Sequence, residues 1–256
     1  MDLTGKRAIV TAGAAGIGRV TAEQFMSAGA TVTVCDIDDG ALQSFSNDFP
    51  DSTAFRCDVG DADEVAKTFQ SMLKALGSID ILVNNAGSSG PTACIEDVSP
   101  EDWTRTLNIN LFSQFLFTKH VVPIMKAQAS GSIVNMSSAA GRLGMPMRTP
   151  YVAAKWATIG LTQSLAMELG HHNIRVNAIL PGSVKGERMA RVMKARAEAT
   201  GMSLQEVEAE ETAAISLGRM IDPKEIADMI TFICSDTGAS ISGQSIGICG
   251  NTEILR

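Results

Sequence analysis

KRAIVTAGAAGIG, residues 6–18, sets an apolar run against a cluster of small residues and then begins a helical pattern. Residues 6–11 read as a buried strand. Ala12, Gly13, Ala14, Ala15 and Gly16 form a tight turn, and an amphipathic helix follows to about residue 28. Small residues let the backbone approach a bulky anion. The amino end of the helix presents unpaired N–H groups and the positive end of a dipole. Strand, glycine turn and helix in this order predict a pyrophosphate cradle, with Ala12, Gly13, Gly16, Ile17 and Gly18 as the contacts. A tight structural turn is the plainer alternative for such a motif standing alone.

Outward from that unit the chain alternates strands and helices. A second strand over residues 31–35 ends at Asp36, eighteen residues after Gly18. This is where a dinucleotide fold places the acid that accepts a ribose 2′-hydroxyl and repels a 2′-phosphate. Such an acid favours NAD over NADP, and NAD is the cofactor expected. Further strands are predicted over residues 53–57, 79–83, 131–136 and 174–180, with a last one entered through residues 243–246. Helices are predicted over residues 61–77 and 151–171, from the Ser99-Pro100-Glu101-Asp102 start and from Asp222-Pro223-Lys224-Glu225. The alternation predicts a doubly wound, parallel α/β sheet of the Rossmann type in a single domain over residues 1–256, with its ligand at the carboxyl ends of the strands.

The chemistry gathers in SSAAGRLGMPMRTPYVAAK, residues 137–155. Tyr151 and Lys155 are four apart and share a helical face, which puts an ammonium beside the only phenol of the chain. A fixed cation favours the phenolate, so Tyr151 becomes a candidate general acid/base. Ser138, just past the strand at residues 131–136, can donate to a substrate oxygen.

These residues resemble the short-chain dehydrogenase/reductase family, whose active-site pattern is a serine followed by Tyr-x-x-x-Lys, here YVAAK. The likeness runs through nearly the whole chain. Asn84-Asn85-Ala86-Gly87 resembles the family's Asn-Asn-Ala-Gly, and Asp58-Val59 its adenine-contacting pair. Pro181-Gly182-Ser183-Val184 resembles the turn beside the nicotinamide, where Val184 would hold the carboxamide. Asn110, in Asn-Ile-Asn-Leu, matches the asparagine that kinks its helix and holds a water leading from the catalytic lysine; Asn108 competes for that role. The resemblance implies Asn110, Ser138, Tyr151 and Lys155 as the catalytic set. It implies NAD held by Ala12, Gly13, Gly16, Ile17, Gly18, Asp36, Asp58, Val59, Asn85, Ala86, Gly87, Tyr151, Lys155, Pro181, Gly182 and Val184, together with a homotetramer. Two departures stand out. Ala12 replaces the family's first glycine and is tolerable if its φ is negative, and Ile248-Cys249-Gly250-Asn251 replaces the usual Val-Asp-Gly-Gly end.

Residues 185–216 form a polar, helix-prone stretch longer than the family's minimal loop, and read as a substrate lid. Such a lid resembles those of members acting on polyols, sugars or hydroxyketones. Arg142, Arg148 and Arg188 fall near the expected pocket mouth and suggest a polar or anionic substrate, against ordinary surface arginines. The expected activity is an NAD-dependent oxidation of a small polar secondary alcohol, or the reverse reduction. A dinucleotide-binding scaffold without turnover is one rival, and a nucleotide-sugar epimerase or dehydratase the other.

Composition narrows the field. With 256 residues, 45% of them hydrophobic, the chain can bury a sizeable core. A formal net charge of −7 argues against non-specific nucleic-acid binding. Five scattered cysteines with no CxxC pair give neither a disulfide framework nor a zinc site. The first residues carry an acid before the first base and no long apolar run, so neither a signal peptide nor a membrane span is expected and the location is expected to be cytoplasmic. His120, His171 and His172 fall outside every motif.

Overall fold

A computed structural model describes residues 1–255. Among the described residues seven strands make one parallel sheet: β1 (Arg7–Thr11), β2 (Thr31–Asp36), β3 (Thr53–Arg56), β4 (Ile81–Asn84), β5 (Gly131–Met136), β6 (Ile174–Pro181) and β7 (Ser245–Ile248). Their spatial order is β3-β2-β1-β4-β5-β6-β7. The direction of winding reverses between β1 and β4, and a crevice opens there at the carboxyl ends of the strands. β1, β2, β4 and β5 are nearly continuous buried runs rich in Val and Ile, because helices cover both faces of a parallel sheet.

The helices are α1 (Gly16–Ser27), α2 (Asp39–Asp48), α3 (Ala62–Leu76), α4 (Pro100–Leu107), α5 (Ser113–Gln128), α6 (Thr149–Leu169), α7 (Glu187–Thr200), α8 (Leu204–Ala213) and α9 (Pro223–Cys234). One core layer packs α1 and α9 on the sheet through Phe25, Ile226, Ile230 and Ile233. The other packs α3 and α5 through Phe69, Met72, Phe117 and Met125. Asp38, Asp61, Ser99 and Asp222 cap α2, α3, α4 and α9, as their short polar side chains dictate. The stretch at residues 185–216 folds as α7 and α8 over the crevice side of β6. Glu211 joins the two, accepting from the Ser183 hydroxyl and lying 3.5 Å from Arg196. Among the described residues no helix is long and apolar enough to cross a membrane.

Candidate active site

The amino end of α1 differs from the capped helices. Ala15 stands at its cap position with no capping side chain, and no acid lies in its first turn. Its first N–H groups are left for an anion, and the glycines before and within it show why the backbone must be bare. Gly16 sits at φ +54°, the left-handed region that glycine adopts freely. A Cβ on Gly18 would stand 2.1 Å from the Ala12 carbonyl oxygen and 2.5 Å from Asn85 Nδ2. A Cβ on Gly13 would stand 2.7 Å from the Val10 carbonyl oxygen and from the Val34 side chain, so its bare backbone is what lets the turn pack on β1 and β2.

Ala12 corrects an expectation. Its φ is +48° rather than negative, so the methyl is carried in the region where glycine is the natural choice. The surroundings hold it there: Asn85 Nδ2 donates to the Thr11 and Ala12 carbonyls at 3.0 Å each, and the Thr11 hydroxyl accepts from the backbone N–H of Asn85 and Ala86 at 3.0 and 2.9 Å. The Asn-Asn-Ala-Gly segment is therefore the clamp on the turn.

Asp36 ends β2 and is buried. Its carboxylate accepts from Ala14 N–H at 3.2 Å and Ile37 N–H at 2.8 Å, which fixes it at the crevice edge. Arg56, in register with Asp36 on β3, is paired to Glu64 at 3.0 Å and Asp39 at 3.8 Å. Asp58 is turned to Gly60 N–H at 2.9 Å, with Val59 buried beside it. At the other side of the crevice Gly182 N–H donates to the Ile248 carbonyl, and Val184 bridges to Ile221, so the turn after Pro181 is built into the sheet edge.

The chemistry-bearing set lies around Gly87, where an added Cβ would stand 2.9 Å from Asn110 Oδ1, 3.5 Å from Lys155 Nζ and 3.8 Å from Arg188 Nη1. Asn110 is in a π-helical turn, Asn108–Phe112, that interrupts the α4–α5 helix, a device often found at functional sites. Its Nδ2 donates to Thr106 O at 2.9 Å and Ser88 O at 3.1 Å, while its buried Oδ1 has no partner among the described residues. Of the two candidates, Asn110 is the one facing this centre.

Lys155 is buried and donates to the Met136 carbonyl at 2.8 Å. Burial, with added repulsion from Arg188, pushes its ammonium down to about 7. Its Nζ is 5.6 Å from the centre of the Tyr151 ring, the Arg148 guanidinium 5.2 Å and that of Arg188 6.0 Å. Three cations surround one phenol. Ser138 stands at the carboxyl end of β5, where its hydroxyl caps a short 3₁₀ turn by accepting from Ala140 N–H at 3.2 Å.

Two residues escaped the sequence reading. Ser137 donates to the Lys155 carbonyl at 2.7 Å and pins the end of β5 to α6. Arg191 lines a cavity of about 580 Å³ with Arg148, Ser89, Gly90 and Thr92. The serine pair 137–138 hinted at the first, since neighbouring residues of a strand face opposite ways; nothing in the sequence marks the second. Arg142 is a second correction. It is exposed and donates to the Ser245 carbonyl of β7, the edge strand, whereas the cations found about the Tyr151 ring are Arg148, Lys155 and Arg188.

A family described as enoyl-(acyl carrier protein) reductase matches residues 12–250. The 3-oxoacyl-[acyl-carrier-protein] reductase of Thermotoga maritima is 37% identical over 258 residues, covering 99% of this chain and 100% of its own. A structure of NAD⁺-bound xylitol dehydrogenase superposes with a TM-score of 0.93 at 30% identity, over 98% of this chain and 100% of that one. A structure of an actinorhodin polyketide ketoreductase variant with NADPH gives 0.93 at 29% identity, over 96% and 97%. Together with the uncapped α1, the bare Gly18 and the crevice at the switch point, these likenesses support a nicotinamide dinucleotide as the cofactor.

Proposed function

Because the chain belongs to the short-chain dehydrogenase/reductase family of oxidoreductases, we propose that it is NAD-dependent and interconverts a small polar secondary alcohol and its carbonyl. The observation that carries this reading is the meeting of Asn110 Oδ1 and Lys155 Nζ at Gly87, with that same Lys155 Nζ 5.6 Å from the centre of the Tyr151 ring.

When bound, the nicotinamide supplies the acceptor or donor of the hydride. Tyr151 takes the proton from the substrate hydroxyl in oxidation and returns it in reduction. Ser138 donates to the substrate oxygen and holds it toward the phenol. Lys155, 5.6 Å from the centre of the Tyr151 ring, would hold the nicotinamide ribose and keep positive charge beside the phenolate. Asn110, whose Oδ1 is buried without a partner, holds a water in the path of the proton. The first turn of α1 would carry the pyrophosphate. Asp58, Val59, Asn85, Ala86 and Gly87 would line the adenosine side, and Pro181, Gly182 and Val184 the nicotinamide side.

NAD is favoured over NADP by Asp36. A carboxylate held by three backbone N–H groups, those of Ala14, Ile37 and Asp38, cannot turn away from a 2′-phosphate, and Arg56, in register with it on β3, is engaged by two acids. The xylitol dehydrogenase likeness accords with NAD, and the likeness to an NADPH-bound ketoreductase is the competing precedent. α7 and α8 act as the lid. Phe112, Phe115, Trp156 and Met167 are exposed on the α5 and α6 side, an apolar surface that supports association of subunits; the assembly proposed is a homotetramer and the location cytoplasmic. The test is reduction of NAD, with NADP in parallel, across polyols, sugars, hydroxy acids and hydroxyketones. NAD-linked turnover is expected. Equal or faster turnover with NADP would refute the role of Asp36, and tight NADH binding with no turnover would point to a scaffold.

A further inference from the structure

We propose that the substrate carries a compact anionic group, a carboxylate or a phosphate, close to its reacting hydroxyl, and that Arg148 anchors it with Arg188 beside it. The inference rests on the reading that Tyr151 faces the substrate. It goes further by naming what the substrate must bring.

The argument begins with an imbalance of charge. The chain as a whole is acidic, at −7, yet Arg148, Lys155 and Arg188 all stand within about 6 Å of one phenol ring, and none of them has a carboxylate partner among the described residues. Two acids of α7 on this side of the molecule are paired with other bases. Glu187 lies 3.8 Å from Arg191 in an exposed i, i+4 pair, and Glu198, which lines the cavity, is 4.0 Å from Lys194.

Arg148 is the least comfortable of the three. Only 5% of it is exposed, and its one hydrogen bond runs from Nη2 to the Ser89 carbonyl at 2.6 Å. Its Nε is buried with no partner, and its Nη1 makes no hydrogen bond among the described residues. Burial lowers its affinity for the proton, Tyr151 partly offsets this, and Arg188 lowers it further. A buried guanidinium without an anion is costly, and the cost is recovered when a ligand supplies one. The backbone shows a matching constraint. Met147, the residue before it, is held at φ +61°, with its carbonyl accepting from Ala93 N–H at 3.0 Å, so the loop at residues 88–93 and the start of α6 jointly fix Arg148 in place.

Arg148 lines the 580 Å³ cavity with Ser89, Thr92 and Arg191, a volume suited to a small molecule. Its guanidinium is 5.2 Å from the Tyr151 ring, so a hydroxyl presented to the phenol and an anion presented to the arginine belong to a short molecule. A planar fork of N–H donors suits an oxyanion held by two bonds.

The test is a thermal-shift titration of the intact protein with sodium 3-hydroxybutyrate, its uncharged amide and inorganic phosphate at matched ionic strength. Wild type, Arg148→Gln and Arg188→Gln are compared. Saturable stabilisation by an anion is expected, with none from the amide. Apparent affinity should fall about 10-fold or more in Arg148→Gln and by a smaller factor in Arg188→Gln, whose exposed side chain leaves folding untouched. A stronger response to phosphate than to the carboxylate, lost in Arg148→Gln, would assign a phosphate ester; a phosphate response that Arg148→Gln leaves intact belongs to the first turn of α1 and counts against the proposal. Equal stabilisation by the amide, no response to either anion, or full anion affinity in both variants would overturn the proposal. Binding is read without turnover, so anion binding without oxidation would leave this inference standing while the proposed activity failed. Brisk oxidation of neutral alcohols with no anion effect would do the reverse.

Discussion

Replacing Lys155 with methionine should stabilise the free protein, and the size of the gain should depend on pH. The lysine stem is already buried, and its ammonium makes one hydrogen bond, to the Met136 carbonyl, which also accepts from Gln114 Nε2 at 3.2 Å. Methionine keeps the stem volume and leaves that carbonyl one partner. The folded protein holds the ammonium at about 7 against an ordinary 10.5. The unfolded chain therefore binds the proton over a window in which the folded chain has released it. Stability of the wild type rises with pH between those two values, and below about 7 the full penalty stands. The penalty is at most about 5 kcal/mol, from which the lost hydrogen bond subtracts about 1 kcal/mol. Urea unfolding of both proteins reads the difference. The advantage of Lys155→Met should be largest near pH 6 and should shrink by about 2–3 kcal/mol by about pH 9. An advantage that does not change with pH, or a variant less stable than wild type near pH 6, would refute the reasoning that desolvation governs this lysine.

Other outcomes follow from the same geometry. Tyr151→Phe should abolish turnover while NADH still binds, as fluorescence titration would show. Asp36→Ala should raise the kcat/KM for NADP relative to NAD by about 10-fold or more, since one charge-assisted contact is lost and one repulsion removed; an unchanged ratio would place selectivity elsewhere. Ala12→Gly should stabilise the fold by about 1 kcal/mol by relieving its left-handed backbone, and loss of stability in urea would count against the strain. Gly18→Ala, by contrast, should be destabilising and should weaken NADH binding, because the new methyl meets the Ala12 carbonyl at 2.1 Å.

Much of the architecture could be read from the sequence because a parallel sheet announces itself. The central strands are buried on both faces, so the runs at residues 7–11, 81–84 and 131–136 are buried without alternation, and each is followed by turn and capping residues. The boundaries moved by a residue or two where packing decides: α6 begins at Thr149, two residues before Tyr151, and ends at Leu169 in a 3₁₀ turn. The site was less legible. Spacing placed Tyr151 and Lys155 together, since four residues is one helical turn, but it is silent on φ, and Ala12 took the left-handed value that its clamp by Asn85 imposes. Nor does sequence say which way an arginine leaves a turn. Arg148 is fixed by Met147 and Ser89 and points to the phenol, whereas Arg142 reaches the Ser245 carbonyl. Arg191 enters the cavity because α7 lies across it, a tertiary fact with no local signature.

The most direct test of the account follows a label. The protein is incubated with NAD and the alcohol it oxidises fastest, deuterated at the carbinol carbon, and deuterium in the reduced nicotinamide is read by NMR. The account predicts direct transfer of the label in the wild type and none in Tyr151→Phe. Label lost to solvent in the wild type, or transferred undiminished by Tyr151→Phe, would contradict it.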